Sequence, residues 1–143
     1  MTALARRELA VLLGALAAGL ARPAAAAGAP DQGASVRKLA EHDLPDLPGK
    51  AVTLIEVAYA PRGSSPAHRH HASASIVACV VEGEIRSAVE GGGEERVYQT
   101  GETWFEPPGS HHTVSANASA TAPARLLAFI VADKGAVLTT FDG

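Results

Sequence analysis

After residue 50 this sequence never sustains an apolar run for more than nine residues before a turn-forming residue interrupts it. "VTLIEVAYA" (Val52 to Ala60) stops at "PRGSSP", "SIVACVV" (Ser75 to Val81) at "EGE", "IRSAVE" (Ile85 to Glu90) at "GGGE", and "TWFE" at "PPG". "RVYQ" precedes "TGE", "HTVSA" follows the Pro-Pro-Gly, and the last strong runs are "RLLAFIVA" (Arg125 to Ala132) and "AVLTT". Short β-branched segments bounded by Gly, Pro, Ser and Asn are strands, and no window beyond the N-terminus keeps a helical period over ten residues. About eight strands in ~110 residues predict an all-β fold, either a closed barrel or a double sheet. "ASVRKLAEHDL" (Ala34 to Leu44) fits a strand or a helical turn equally well.

The first 27 residues have a different character. Arg6 and Arg7 form a charged start, Leu9 to Leu20 is apolar apart from two glycines, and Ala24 to Ala27 offers a small-residue cleavage site. This layout is that of an export signal, and the arginine pair resembles the twin-arginine type. The chain is therefore expected to divide into an export signal (1–27), a leader or arm (28–50) and one compact domain (51–143), with the mature protein periplasmic or extracellular. The apolar run is too short to span a bilayer comfortably, so no stable membrane span is expected after cleavage. Cleavage removes Arg6, Arg7, Arg22 and Glu8, leaving nine Lys and Arg of twelve against fourteen Asp and Glu of fifteen, and the net charge moves from −3 to −5. A mildly acidic domain has no electrostatic footprint for nucleic acid. Cys79 is the single cysteine, so no disulfide can form within the chain and stability must come from burial.

Five of the six histidines sit in two short segments, "PAHRHH" (Pro66 to His71) and "PPGSHH" (Pro107 to His112). In a strand, His68 and His70 project from one face while Arg69 points the other way. Two adjacent imidazoles suit two corners of a metal polyhedron, where ligand nitrogens lie ~2.0–2.2 Å from the ion. The second segment follows a Pro-Pro-Gly turn, which re-aims the chain sharply and so directs His111 or His112 at a site built by another strand.

These residues resemble the motifs of the cupin superfamily. The first motif, a glycine followed by H-x-H, a glutamate and a second glycine, maps onto Gly63, His68, His70 and Gly83. The second, G-x5-P-x-G-x2-H-x3-N, maps onto Gly101, Pro107, Gly109, His112 and, one residue late, Asn117. The resemblance covers roughly Val52 to Ala132. It implies a small jelly-roll barrel with a metal ligated by His68, His70 and His112. The usual glutamate is missing: its places are Ala74 and Ser75, leaving that corner vacant or filled by water, Ser73 or Ser75. A three-histidine centre is similar to those of cupin dioxygenases and to catalytic zinc sites, so iron, manganese and zinc all fit as the divalent ion. A barrel that has lost its metal stays open as the alternative.

His71 and His111 are expected to face away from the ligands they adjoin, and His42 to lie on the surface. Glu106, just ahead of the turn, is a weak candidate for a catalytic carboxylate, as general base or as a partner of the ligands; an exposed strand end is the alternative. Trp104, Phe105 and Phe129 are expected to line the core or cavity, and Cys79 to be a buried, inert hydrophobe. Two functions follow from the resemblance: a metal-dependent, dioxygenase-like oxidoreductase acting on a small organic molecule, or a barrel that binds or senses such a molecule without turnover. A homodimer is a further expectation from the resemblance.

Overall fold

In the computed structural model the described residues are 32–142, and every regular element among them is a strand. The segment left open between strand and helical turn is the strand β1 (Ala34–Asp43), paired along its length with β2 (Lys50–Tyr59). The chain continues through two short strands, β3 (Ser64–Ser65) and β4 (His68–His70). The longer β5 (Ser75–Glu82) and β6 (Glu84–Val89) follow, then β7 (Arg96–Gln99), β8 (Thr103–Glu106) and β9 (His111–Asn117). It ends with β10 (Ala124–Asp133) and β11 (Thr139–Phe141). Residues 1–27, expected to be the export signal, lie outside the described residues. β1, at one edge of its sheet, falls within the segment expected to be an arm.

All pairings are antiparallel, in two sheets. One has the order β1-β2-β10-β5-β8, the other β11-β4-β9-β6-β7 with β3 also on β9. This is the predicted all-β architecture, a jelly-roll barrel. The inner faces alternate as the sequence pattern requires: Ile76, Ala78 and Val80 from β5, Leu126, Ala128 and Ile130 from β10, Ile85 from β6. Ile76, Ile85, Ile130 and Val80 are almost completely buried. The motif glycine Gly83 makes the β5–β6 turn at φ +70°, and any Cβ there would meet Pro123 O at 2.6 Å, so only glycine fits.

The same alternation corrects three expectations. Phe105 lies between the inward Trp104 and Glu106, and Phe129 between the inward Ala128 and Ile130, so both rings stand on the outer face, 54% and 44% exposed. Cys79 lies between Ala78 and Val80 and is half-buried on that outer face. The strand register sets Leu54, Phe129, Val77 and Phe105 side by side across four strands. An apolar row therefore crosses the outside of the five-stranded sheet.

Candidate metal centre

The three histidines come together because two devices aim them. His68 and His70 share the inner face of β4. His112 arrives through the turn Pro107-Pro108-Gly109-Ser110, closed by Ser110 N donating to Pro107 O at 3.1 Å, with Gly109 at φ +72°. Proline ahead of a glycine in the left-handed region is what a type II turn demands. Two further bonds tie the turn to the first segment: His70 N donates to Ser110 O at 3.0 Å and Gly109 N to His71 O at 3.1 Å. His68 and His112 are then direct cross-strand partners. A bulge on β9 at Thr113, opposite the Ala88/Val89 step, changes the parity of that strand. Both His112 and Ser115, three residues apart, are therefore buried, which an unbroken strand does not allow.

Ring centroids lie 4.9 Å apart for His68 and His70, 5.0 Å for His68 and His112, and 6.1 Å for His70 and His112. One ligand atom from each lies within 4.8 Å of the others. Two ligands of one ion at ~2.1 Å are at most ~4.2 Å apart, so small ring movements close the cluster on an ion. The outer nitrogens also fit. His68 Nδ1 lies 2.8 Å from Pro66 O, and His70 Nδ1 lies 3.4 Å from Leu138 O. A carbonyl only accepts, so the short contact puts the His68 proton on Nδ1 and keeps its Nε2 lone pair for a ligand; the longer His70 contact, shared with Thr139 Oγ1 at 3.5 Å, allows the same tautomer. Burial pushes the His68 imidazole down to about 4, despite its bond to Pro66, so it is neutral and ligand-ready at ordinary pH. Three close histidines of this kind could hold a metal ion.

Glu106 stands at the centre of the cluster rather than at an exposed strand end. It is 3% exposed, with Oε2 2.7 Å from His70 Nε2 and 3.3 Å from His112 Nδ1. Trp104 Nε1 donates to its other oxygen at 2.9 Å. Burial raises the Glu106 carboxyl, but His112 and then His70 outweigh it and hold the group well below the usual carboxylate range. His112 Nε2 meets Ser87 Oγ at 2.8 Å. Sequence reasoning named neither Ser87 nor the Trp104 brace. Its one available signal was alternation, which turns Trp104 and Glu106 to the same side of β8.

The remaining expected residues lie elsewhere. Ser73 is committed to His71 Nδ1 at 2.8 Å and to Asp133 N at 2.9 Å, and Ser75 is on the outer side of β5, so neither fills the corner left by the missing glutamate. His111 meets Glu90 at 3.0 Å and Asp142 at 2.7 Å, and these two carboxylates raise its pKa. His42 is exposed. Asn117 braces a loop, donating to Ala60 O and Ala122 O and accepting from Ser119 N. Phe141 of β11 stands edge-on to His68, with centroids 5.7 Å apart. A cleft of about 290 Å³ opens beside β6, β7 and β8, and its lining includes Ser87 and Trp104, the residues that hold His112 and Glu106.

Residues 55–130, more than half of the chain, match the cupin domain family. The chain is a cupin. Among solved structures this cupin is similar to an oxalate oxidase in complex with glycolate, with 26% identity, a TM-score of 0.58, and 77% of this chain and 55% of that one covered. The polyketide cyclase RemF of Streptomyces resistomycificus matches with 24% identity and a TM-score of 0.58, over 82% of this chain and 78% of that one. A cupin-2 domain protein of Rhodospirillum rubrum matches with 16% identity and a TM-score of 0.59, over 80% and 69%. The last two show the fold alone, and the cupin spans about half the length of the oxalate oxidase. No curated protein matches it. Among the described residues, no helix is long and apolar enough to cross a membrane.

Proposed function

We propose that His68, His70 and His112 hold a divalent ion, iron, manganese or zinc, and that the protein binds a small organic molecule beside it and oxidises it by dioxygenase-type chemistry. One observation carries this: three imidazoles from two remote segments converge, and two of them have their outer nitrogens set against carbonyls. The ion supplies Lewis acidity and, with iron, the capacity to engage oxygen. The chain's own residues bind and orient. The cleft, about 290 Å³, is near the lower end of ligand-pocket sizes and suits a small molecule. Ser87 and Trp104 line the cleft and also hold His112 and Glu106, so they join that molecule's site to the histidine cluster, and Phe141 stands edge-on to His68. Glu106, held below the usual range, stays ionised and is a poor proton acceptor, so it does not serve as the general base. The likeness to an oxalate oxidase bound to glycolate supports a small organic ligand.

A barrel that binds without turnover is favoured by one feature, that the cleft reaches Ser87 and Trp104 but none of the three histidines. Metal analysis of the purified protein beside a His68→Ala/His112→Ala variant tests the centre. Stoichiometric metal that disappears in the variant is expected, and equal metal in both refutes it. Oxygen uptake with diketones or phenols then separates enzyme from binder. We further read the protein as exported through its twin-arginine-like start, and as a homodimer joined through the apolar row on its outer sheet.

A further inference from the structure

We infer that Glu106 is a fourth ligand of the metal centre proposed above, supplying from β8 the carboxylate that the family motif places just after the second histidine. At that place the chain offers only Ala74, fully buried, and Ser75, which faces outward. β8 runs beside β5 with Glu106 directly opposite Ile76, and both side chains point inward. Glu106 thus enters the inner face within two residues of Ala74, where a methyl group leaves room for a carboxylate arriving from the neighbouring strand.

The polar atoms themselves call for a cation. Glu106 Oε1 is engaged by the Trp104 indole, which fixes the plane of the carboxylate. Oε2 and His70 Nε2 are both buried, lie 2.7 Å apart, and neither completes a hydrogen bond of acceptable geometry. With the His70 proton on Nδ1 toward Leu138 O, Nε2 presents a lone pair to a carboxylate oxygen. In that tautomer two acceptors sit 2.7 Å apart, closer than van der Waals contact and out of reach of water, and they repel each other unless a positive charge sits between them and their neighbours. A divalent ion held by three imidazoles and Oε2 satisfies both atoms at once. Trp104 then acts as the partner that orients a ligand carboxylate, as carbonyls do for His68 and His70. A carboxylate in the donor set also lowers the charge of the centre by one and tilts its preference toward metals that accept oxygen ligands.

The test is Co(II) binding to metal-free protein, followed by calorimetry and by visible absorption, which reports the coordination shell independently of any activity. Glu106→Gln keeps the size of the side chain and a carbonyl oxygen for Trp104, so its fold, checked by circular dichroism and melting, is expected to match the wild type. Affinity should fall about 100-fold or more and the Co(II) spectrum should change; in Glu106→Ala, added acetate should restore part of both. An unchanged spectrum in both variants overturns Glu106 as a ligand, even where affinity falls, because that pattern belongs to a residue that only positions the histidines. A wild type that takes up no Co(II) overturns the metal centre itself, which separates the two failures.

Discussion

The metal-free barrel should lose stability in mild acid, and His68 should be the largest single reason. Its imidazole is buried to 8% exposure and its pKa falls from 6.5 to about 4, chiefly because burial penalises the charged form. The unfolded chain therefore takes up a proton more readily than the folded one. The contribution is fully present above about pH 6.5, declines as the pH falls, and is exhausted below about pH 4. A shift of this size corresponds to on the order of 3 kcal/mol in all, of which about 2.5 kcal/mol should be lost between pH 7 and pH 4.5. Glu106 moves the other way from its ordinary value of 4.5, so its stabilising effect is present above that pH and is lost only below it, outside this interval. Urea unfolding in the presence of chelator, repeated across the interval, measures the effect. For a domain of this size the wild-type midpoint should drop by on the order of 1–2 M. His68→Gln, which has no proton to gain, should remove most of that slope, since every other titrating group is shared by both proteins. Parallel pH profiles for wild type and His68→Gln would refute the burial argument.

Other consequences are simpler to check. Ile130→Ala deletes an almost fully buried side chain between the sheets and should cost about 2–5 kcal/mol in denaturant unfolding; a loss below 1 kcal/mol would mean that the core is looser than described. Phe129→Lys places a charge in the middle of the outer apolar row without touching the core. It should convert a dimer to a monomer in sedimentation while shifting intrinsic barrel stability by no more than about 0.5 kcal/mol, and a wild type already monomeric at micromolar concentration would remove the proposed interface. Replacing Arg6 and Arg7 by Lys should strand precursor in the cytoplasm, whereas undiminished export would show that the arginine pair is not read.

The centre was partly visible because local rules decide part of it. H-x-H in an extended segment must place His68 and His70 on one side, and Pro-Pro-Gly must turn the chain before His112. Glu106 was singled out with two readings open, a carboxylate partner of the ligands and an exposed strand end, because its place next to a proline turn suits both; burial beside His70 and His112 favours the first. Phe105 and Phe129 were assigned inward because aromatic side chains usually pack, yet the parity of their strands turns them out. Each parity is set by the neighbours on either side, Trp104 and Glu106 in one case and Ala128 and Ile130 in the other.

The sequence alone determined the strand-and-turn alternation and which histidines share a face, because these depend on residues within one turn or one strand of each other. Only the folded chain decided that β8 lies beside β5 with Glu106 opposite Ile76, that a bulge at Thr113 turns His112 inward, and that Trp104 and Ser87 brace the cluster. Those outcomes rest on hydrogen-bond register between segments some thirty residues apart. Register is a property of two strands together, and no local pattern carries it.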